Sequence, residues 1–445
     1  MELTEWPDVA AFVSWLESAA SMNPPVFLAR APGRLDVMGG IADYSGSLVL
    51  QLPLREAACV ALQRCPTRRL DVVSLGDPVR QYTTSLDELM GLDFDAARAH
   101  FRREPSKAWA AYVAGAMVVL MQEKRAALPN GARIMVRSDV PEGKGVASSA
   151  ALAVASMTAI DAAYDVGLEP RELAFLAQKV ENRVVGAPCG IMDQTTAVFG
   201  DKDRLLALLC QPAEIQGSLA IPEGLAFWGI DSGVAHTVSG EDYTSVRIGT
   251  FMGYRILQAL TGRDFDGFLA NLTPSELDAY RGELPDAMSG AAFLARYGGT
   301  SDPVTRVDPS LTYPVREPTA HPVSEHFRIR AFGRLLRGDA LENAPILGEL
   351  MYQSHASYSA CGLGSQGTDR LVELARAAGP RRGIFGAKIT GGGSGGTVAV
   401  LARRDAEDAV RGIADRYARE RGIEPTLFSG SSSGALAFGH RVLKP

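Results

Sequence analysis

The chain has 445 residues and is slightly acidic, with 45 Lys and Arg against 51 Asp and Glu and a formal net charge of −6. Its basic residues form no stripe interleaved with aromatic residues, which argues against nucleic acid as the main partner and favours a small-molecule substrate. Hydrophobic residues make up 46% of the chain and charged residues 22%, which is typical of a globular protein with large cores, and the length suggests two or three domains.

The sequence does not predict a membrane or secreted protein. The longest apolar run, roughly residues 108–121, is too short to cross a bilayer, and the acidic N-terminus lacks a signal-peptide pattern. The five cysteines are widely spaced without a CxxC pair, and the six histidines show no HExxH motif, so we expect neither disulfides nor a zinc site. We expect a cytoplasmic monomer or homodimer with no membrane partner.

The first segment with candidate binding residues is Ala31–Gly46. It follows a predicted strand at residues 26–30 and precedes predicted strands at 48–50 and 57–62. Two of its charged residues, Arg34 and Asp43, are expected in a loop, where a rigid scaffold can hold binding groups. A surface ion pair is the alternative for both residues.

A glycine-containing loop at residues 140–147 precedes an alanine-rich helix that begins near Ser148 and Ser149. Gly143 and Gly145 allow backbone N–H groups to approach an anion, and the serines can cap a helix whose N-terminus attracts the same anion. We therefore predict a nucleotide triphosphate site, although an ordinary strand, turn and helix would show the same pattern. The lysine of the loop is followed by Gly145 rather than Ser or Thr, so the loop is not a P-loop. The helix is apolar on all sides and should be buried.

A candidate general base follows the next predicted helix. Helical periodicity over residues 169–182 ends at a Gly-Ala-Pro sequence, and a new element begins near Asp193. Asp193 lies beside the apolar Ile191 and Met192, a setting in which neighbours can tune the ionisation of a carboxylate. A helix N-cap aspartate is the alternative.

The last part of the chain predicts a hairpin. A Pro-rich stretch at residues 302–322 indicates a long loop or crossing. Residues 384–390 and 397–401 predict two strands around a glycine loop at 391–396, and residues 405–421 predict an amphipathic helix. The glycine loop formally matches GxGxxG, but a strand follows it, so the context for dinucleotide binding is missing. We predict a tight hairpin packed beneath the substrate or phosphate loop.

Together these segments resemble a known family. Gly33–Gly46, Pro141–Ala151 and Lys388–Gly396 are similar, in this order, to the three motifs of the GHMP family of small-molecule kinases. Gly186–Gln194 is similar to the stretch of galactokinases that carries the catalytic aspartate. Agreement at four separated sites is far more specific than any single loop.

The resemblance implies an α+β fold, the GHMP kinase fold, with two domains. Residues 1–215 would form an N-terminal domain like ribosomal S5 domain 2, and residues 216–445 a ferredoxin-like C-terminal domain. The active site is expected in the cleft between them.

The resemblance also implies an ATP-dependent sugar kinase that phosphorylates the anomeric hydroxyl. Asp193 would accept or orient the proton of that hydroxyl, and Arg34 would keep Asp193 ionised and favour the charge on the transferring phosphoryl group. Glu181 and either Ser148 or Ser149 would bind Mg²⁺. The other expected ligands are Gly40, Ile41, Asp43, Tyr44, Gly190 and Tyr243 for the sugar, and Gly143, Gly145, Ser148, Ser149 and Trp109 for ATP. A core tryptophan is the alternative for the last of these.

Two residues depart from the galactokinase pattern. Galactokinases typically have Glu-His before the Thr-Asp-Tyr of their first motif, near the 6-hydroxymethyl group of the sugar, whereas this chain has Gly40 and Ile41. L-Arabinopyranose has the ring configuration of D-galactopyranose without that group, so Ile41 could fill the space and leave no buried polar group unpaired. With Tyr358–Gly364, this indicates a relative of the family members that phosphorylate L-arabinose.

Two alternatives remain open. The chain could phosphorylate D-galactose, or it could be a non-catalytic sensor of sugar and ATP. If the departure sets specificity, introducing Glu and His at positions 40 and 41 should shift the preference toward galactose.

Overall fold

The computed structural model describes residues 5–19, 22, 25–235 and 241–443, which contain fourteen strands and fifteen α-helices. The strands are β1 (Val26–Met38), β2 (Leu48–Cys65), β3 (Arg69–Ser74), β4 (Arg80–Ser85), β5 (Gly131–Ser138), β6 (Arg204–Leu209), β7 (Glu214–Ala220), β8 (Leu225–Asp231), β9 (Ala287–Ser289), β10 (Thr312–Pro314), β11 (Ile384–Ile389), β12 (Thr397–Arg403), β13 (Leu427–Ser429) and β14 (His440–Leu443). The helices are α1 (Pro7–Ala19), α2 (Leu86–Leu89), α3 (Phe94–Arg102), α4 (Ala111–Lys124), α5 (Ser148–Tyr164), α6 (Pro170–Lys179), α7 (Met192–Phe199), α8 (Glu241–Thr261), α9 (Pro274–Asp278), α10 (Gly290–Tyr297), α11 (Arg316–Arg337), α12 (Ala340–Ala360), α13 (Gln366–Ala378), α14 (Glu407–Arg421) and α15 (Ala435–Phe438). A π-helical turn, Val180–Val185, continues α6.

The first sheet contains eight strands in the order β14-β1-β2-β5-β3-β4, with β6 pairing to β2 and β7 to β6. Among these pairs β3 and β5 run parallel and the others antiparallel. The predicted strands at 48–50 and 57–62 are the two ends of one long strand, β2. Its first half pairs with β6 and its second half with β5.

Arg34 lies in a strand and not in the predicted loop. The β1–β2 register shifts between Pro32 and Arg34, and Arg34 is opposite Pro53, which has no N–H to donate to the ladder. Such an irregularity bends a strand locally and redirects its side chains. The predicted loop is therefore confined to the residues after Met38.

The alanine-rich helix α5 packs across β1 and β2 and is buried over most of its length, as predicted. The expectation that the serine pair caps this helix is wrong. The N-cap residue is Ala147, whose φ of 60° is left-handed, and no side chain caps the helix. No side chain therefore occupies the backbone N–H groups of the first turn as a cap.

The second sheet has the strand order β11-β12-β8-β13 and is covered by α12, α13 and α14. The hairpin β11–β12 and helix α14 confirm the predictions for residues 384–421. Residues of β8 and β12 also join the core of the first sheet, so the apolar interior is continuous between the two sheets.

The end of the Pro-rich stretch, residues 316–322, is helical and not part of the predicted long loop or crossing. α11 begins at Arg316 and contains Pro322, which cannot donate a hydrogen bond to the carbonyl of Pro318. The hydroxyl of Thr250 in α8 lies 3.1 Å from that carbonyl and 2.9 Å from the carbonyl of Val246, and shares its one proton between them. A partner from a neighbouring helix thus satisfies the group that the proline leaves free.

The predicted division of the chain at residue 215 stays a prediction, and its terminal residues 1–4 and 444–445 lie outside the described residues. Residue 215 lies within β7, and the chain returns to the first sheet when β14 pairs with β1. Among the described residues, no helix combines the length and the apolar character needed to cross a bilayer.

Candidate active site

Three segments far apart in sequence meet at Arg34. Its backbone N–H donates to the carbonyl of Val146 at 3.0 Å, and its Nη1 donates to the carbonyl of Gly145 at 2.7 Å. The hairpin loop joins them through Thr397, whose hydroxyl donates to the carbonyl of Lys144 at 2.8 Å. The hairpin thus packs against the 140–147 loop, as predicted.

Arg34 and Asp193 form a paired, bidentate contact. Nε and Nη2 of Arg34 each lie 2.9 Å from one carboxylate oxygen of Asp193, which is in the first turn of α7. Burial disfavours the charge of Arg34, but Asp193 and Asp36 outweigh that effect and raise the pKa of Arg34 above its ordinary value. A buried fork of this kind fixes the orientation of both side chains.

A small pocket lies on one side of this pair. It is lined by Arg34, Ile41, Asp43, Cys189, Gly190, Met192, Asp193, Tyr243, Gly391 and Gly392. The carboxylate of Asp43 lies directly against Gly190, where a side chain would overlap it. Burial, and then the charge of Asp193, raise the pKa of Asp43 to about 6. The pocket therefore combines two carboxylates with the apolar surface of Ile41.

Two predicted sugar ligands lie outside this pocket. Tyr44 packs edge-on against Tyr243, with ring centroids 6.1 Å apart, and faces a neighbouring cavity. Gly40 lies behind Ile41, where its N–H donates to the carboxylate of Asp36 at 3.0 Å. Both support the pocket wall in this structure.

A cavity of about 500 Å³ lies on the other side of the Arg34–Asp193 pair. All five residues that the sequence assigned to ATP line it, together with Glu181: these are Trp109, Gly143, Gly145, Ser148 and Ser149. Trp109 is half-buried with its ring in the cavity wall, and the guanidinium of Arg80 lies 5.0 Å from its centroid. Arg80 also pairs with Glu142. Sequence reasoning missed Arg80, because β4 carries no local signal that would bring it to this loop.

Glu181 is held in the π-helical turn with its carboxylate toward the cavity. Gln194 donates to Oε1 at 2.6 Å, and Ser149 also hydrogen-bonds to the carboxylate. Burial raises the pKa of Glu181 to about 7, although the bond from Ser149 opposes this shift. One carboxylate beside serine hydroxyls fits Mg²⁺, which keeps several waters and takes further oxygens from substrate phosphates.

A second group of buried charges lies behind the pocket and was also missed. Lys388 is wholly buried, and its Nζ lies 2.8 Å from Asp36 Oδ2. The other oxygen of Asp36 accepts from Gln51 Nε2 at 2.6 Å. Because Asp36 and Lys388 lie on β1 and β11, their ion pair joins the two sheets directly beneath the pocket.

Comparisons with known proteins identify the family. Residues 111–201 match the family model of the GHMP kinases N terminal domain, and residues 336–420 match that of the GHMP kinases C terminal. A galactokinase from Chloroflexus aggregans is 32% identical over 90% of each chain. The chain belongs to the GHMP kinase family.

An L-arabinokinase from Arabidopsis thaliana is 43% identical over 93% of this chain. The matched region is 46% of the length of that relative. The crystal structure of Lactococcus lactis galactokinase complexed with galactose has the same fold, with a TM-score of 0.77 at 20% identity over 99% of this chain and 100% of that one. The predicted GHMP kinase fold, with its N- and C-terminal domains, is thereby confirmed.

Proposed function

We propose that the chain is an ATP-dependent sugar kinase that converts L-arabinose to L-arabinose 1-phosphate and ADP. One observation carries this proposal: the Arg34–Asp193 pair lies in a wall shared by a small pocket with carboxylates and a 500 Å³ cavity bounded by a glycine-containing loop. An acceptor in the pocket and a phosphate donor in the cavity would meet at this pair.

The chemistry follows from the positions of these two side chains. The anomeric oxygen attacks the terminal phosphorus, its proton goes to Asp193, and the bond from that phosphorus to the bridging oxygen of ADP breaks. Arg34 orients Asp193 and supplies positive charge next to the transferring group. Phosphoryl transfer depends mainly on such positioning and charge stabilisation.

The cavity residues would hold the nucleotide. The backbone around Gly143 and Gly145 and the uncapped start of α5 would bind phosphates, and Trp109 would contact the adenine. Ser149, Ser148 and Glu181 would hold Mg²⁺, which neutralises phosphate charge when bound. The hydrogen bond between Ser149 and Glu181 supports Ser149 as the first choice of hydroxyl ligand.

The pocket supports a pentose substrate. Asp43 would accept hydrogen bonds from sugar hydroxyls, and Gly190 and Tyr243 would complete that side. Ile41 presents apolar surface where a hydroxymethyl group would need a polar partner. The 43% identity to a protein named L-arabinokinase supports the same substrate.

D-Galactose is the second candidate, because a galactokinase is 32% identical over nearly the whole chain. A panel of pentoses and hexoses with ATP distinguishes the two. We expect kcat/KM for L-arabinose to exceed that for D-galactose by at least about 10-fold, the discrimination that one substituent in an apolar pocket can provide. Equal or better use of galactose would make the chain a galactokinase, and no ATP consumption with any aldose would favour a sensor.

A cytoplasmic location and a monomeric or homodimeric state remain predictions.

A further inference from the structure

Gly40 has no space for a side chain. A Cβ atom built on it would overlap the hydroxyl oxygen of Tyr358 and lie within 2.6 Å of Asp36 Oδ2 and the Gly391 carbonyl. The backbone of Gly40 is outside the left-handed region, so its conformation alone would permit any residue. The restriction at this position is therefore steric, and Tyr358, Asp36 and the Gly391 carbonyl set it together.

Tyr358 is fixed in that position by several contacts. It is fully buried in α12, and its hydroxyl donates to the Gly391 carbonyl at 2.8 Å. His321 lies edge-on to its ring, with centroids 5.2 Å apart, while His321 Nε2 is 3.1 Å from the carbonyl of Gly40 and Nδ1 is 2.8 Å from the hydroxyl of Ser357. Burial lowers the pKa of His321 to about 4, so the ring is neutral and serves as one donor and one acceptor. The backbone of Gly40 and the ring of Tyr358 thus form one packed unit.

Ile41, the next residue, has a strained backbone. Its φ of 53° is left-handed, a conformation that a β-branched residue rarely adopts. The side chain is buried in a cluster with Tyr243, Val246, Tyr358, Cys361, Leu363 and Ile389. Packing in this cluster holds Ile41 in the strained conformation, with its side chain in the wall of the small pocket.

We propose that Tyr358 determines the sugar specificity of this site without contacting the sugar, an inference that rests on the proposed kinase function. Tyr358 fills the space beside Gly40 and packs against Ile41. It thereby holds the side chain of Ile41, the apolar wall of the small pocket, close to the bound sugar. A hexopyranose whose hydroxymethyl group points at that wall is then excluded from the pocket, whereas a pentopyranose is accepted. A larger residue at position 40 therefore requires a smaller one at position 358.

The specificity swap expected from the sequence stays a prediction, and the structure adds a requirement to it. Glu at position 40 would require Tyr358 to move, so the swap should include a smaller residue at position 358.

A variant set with L-arabinose and D-galactose as substrates tests the proposal. Tyr358→Leu should lower the arabinose-to-galactose ratio of kcat/KM by about 10-fold, mainly through a lower KM for galactose. Gly40→Ala should raise KM for both sugars about 10-fold or more, with KM for ATP little changed, because the shifted wall disturbs only the sugar pocket. The double variant Gly40→Ala/Tyr358→Leu should have lower sugar KM values than Gly40→Ala alone, while Asp36 and the Gly391 carbonyl keep them above those of Tyr358→Leu.

Two further variants separate specificity from stability. Tyr358→Phe removes only the overlapping hydroxyl and is the milder change if Tyr358→Leu fails to fold. Combined with Gly40→Ala, it should lower the sugar KM values in part, because Asp36 and the Gly391 carbonyl still crowd the new methyl group. Tyr313→Leu, at an equally buried tyrosine of another core cluster, should reduce stability and leave the sugar ratio unchanged. A wild-type protein that phosphorylates neither sugar counts against the kinase function itself. Two results with an active wild type would overturn only the role of Tyr358. One is an unchanged arabinose-to-galactose ratio of kcat/KM in folded Tyr358→Leu. The other is a Gly40→Ala variant with normal sugar KM values.

Discussion

Three carboxylates line the candidate site, and each has a different environment. Asp193 is paired with Arg34, Asp43 is buried against Gly190, and Glu181 is buried beside Gln194. The pKa values of Asp43 and Glu181 are raised to about 6 and about 7. Such differences are how one site obtains groups with separate tasks.

The role of Asp193 can be tested by removing its charge. In Asp193→Asn we expect kcat to fall by about 10²- to 10⁴-fold, the usual contribution of a general base, while sugar and nucleotide still bind. Calorimetric titration with each ligand checks the binding, and the exposed Asp415→Asn serves as control. Nearly normal turnover in Asp193→Asn would show that the base is another group.

Ionised Asp43 should lower the free energy of unfolding at neutral pH. Its pKa rises from an ordinary 3.8 to about 6 on folding, so its ionisation opposes folding fully above pH 6 and not at all below pH 3.8. Asp43→Asn should therefore stabilise the unliganded protein by about 3 kcal/mol at pH 8, because each pKa unit corresponds to about 1.4 kcal/mol, and by little at pH 4. Urea unfolding at both pH values measures the difference, and a stability gain that does not grow with pH would contradict it. The same variant should bind sugar more weakly.

Glu181 should lose a proton when the metal–nucleotide complex binds. With a pKa of about 7 it is roughly half protonated at pH 7, and a metal ligand must be ionised, so binding should release about half a proton. Calorimetry with a magnesium complex of a non-hydrolysable ATP analogue, in buffers of different ionisation enthalpy, measures this number. The release should disappear in Glu181→Gln and persist in the exposed Glu169→Gln. Equal release in the wild type and Glu181→Gln would remove Glu181 from the metal site.

At the scale of secondary structure, the irregular points carry the site. Arg34 lies at the register shift of β1, and Glu181 lies in the π-helical turn after α6. Both irregularities redirect a side chain that a regular strand or helix would aim elsewhere.

Arg34→Lys tests whether the geometry of the strand position matters beyond its charge. Lysine keeps a positive charge but cannot make two parallel bonds to Asp193 and a third to Gly145. We expect kcat to fall by about 10²-fold, comparable to the loss of one stabilising donor, with sugar KM changed less. Full activity in Arg34→Lys would mean that charge alone is sufficient.

Local patterns predicted some elements correctly and others not. The β11–β12 hairpin, α14 and the buried α5 followed from periodicity and glycine placement. The helix around Pro322 did not, because the group that compensates for the proline, Thr250, is 72 residues earlier in the chain. The serine cap of α5 failed because Ala147 adopts a left-handed conformation that its sequence does not indicate.

At the scale of the whole molecule, the site lies where the two sheets meet. Arg34 comes from the first sheet, and the loop at 391–396 comes from the second. Local sequence could nominate the separate loops, but only their resemblance to a family predicted that they would converge. The sequence indicated no site role for Tyr358 or Arg80, because their contacts are with residues distant in sequence. Tyr358 contacts Gly391, and Arg80 contacts Trp109.

We propose that the site between the two sheets transfers a phosphoryl group from ATP to the anomeric oxygen of a pentose. The direct test is to incubate the protein with MgATP and L-arabinose labelled with ¹³C at C1, and to follow the product by ³¹P and ¹³C NMR. We expect one sugar phosphate, with phosphorus coupled to the labelled carbon, formed in equal amount to ADP. Phosphorylation at another hydroxyl, or no sugar phosphate at all, would contradict the account.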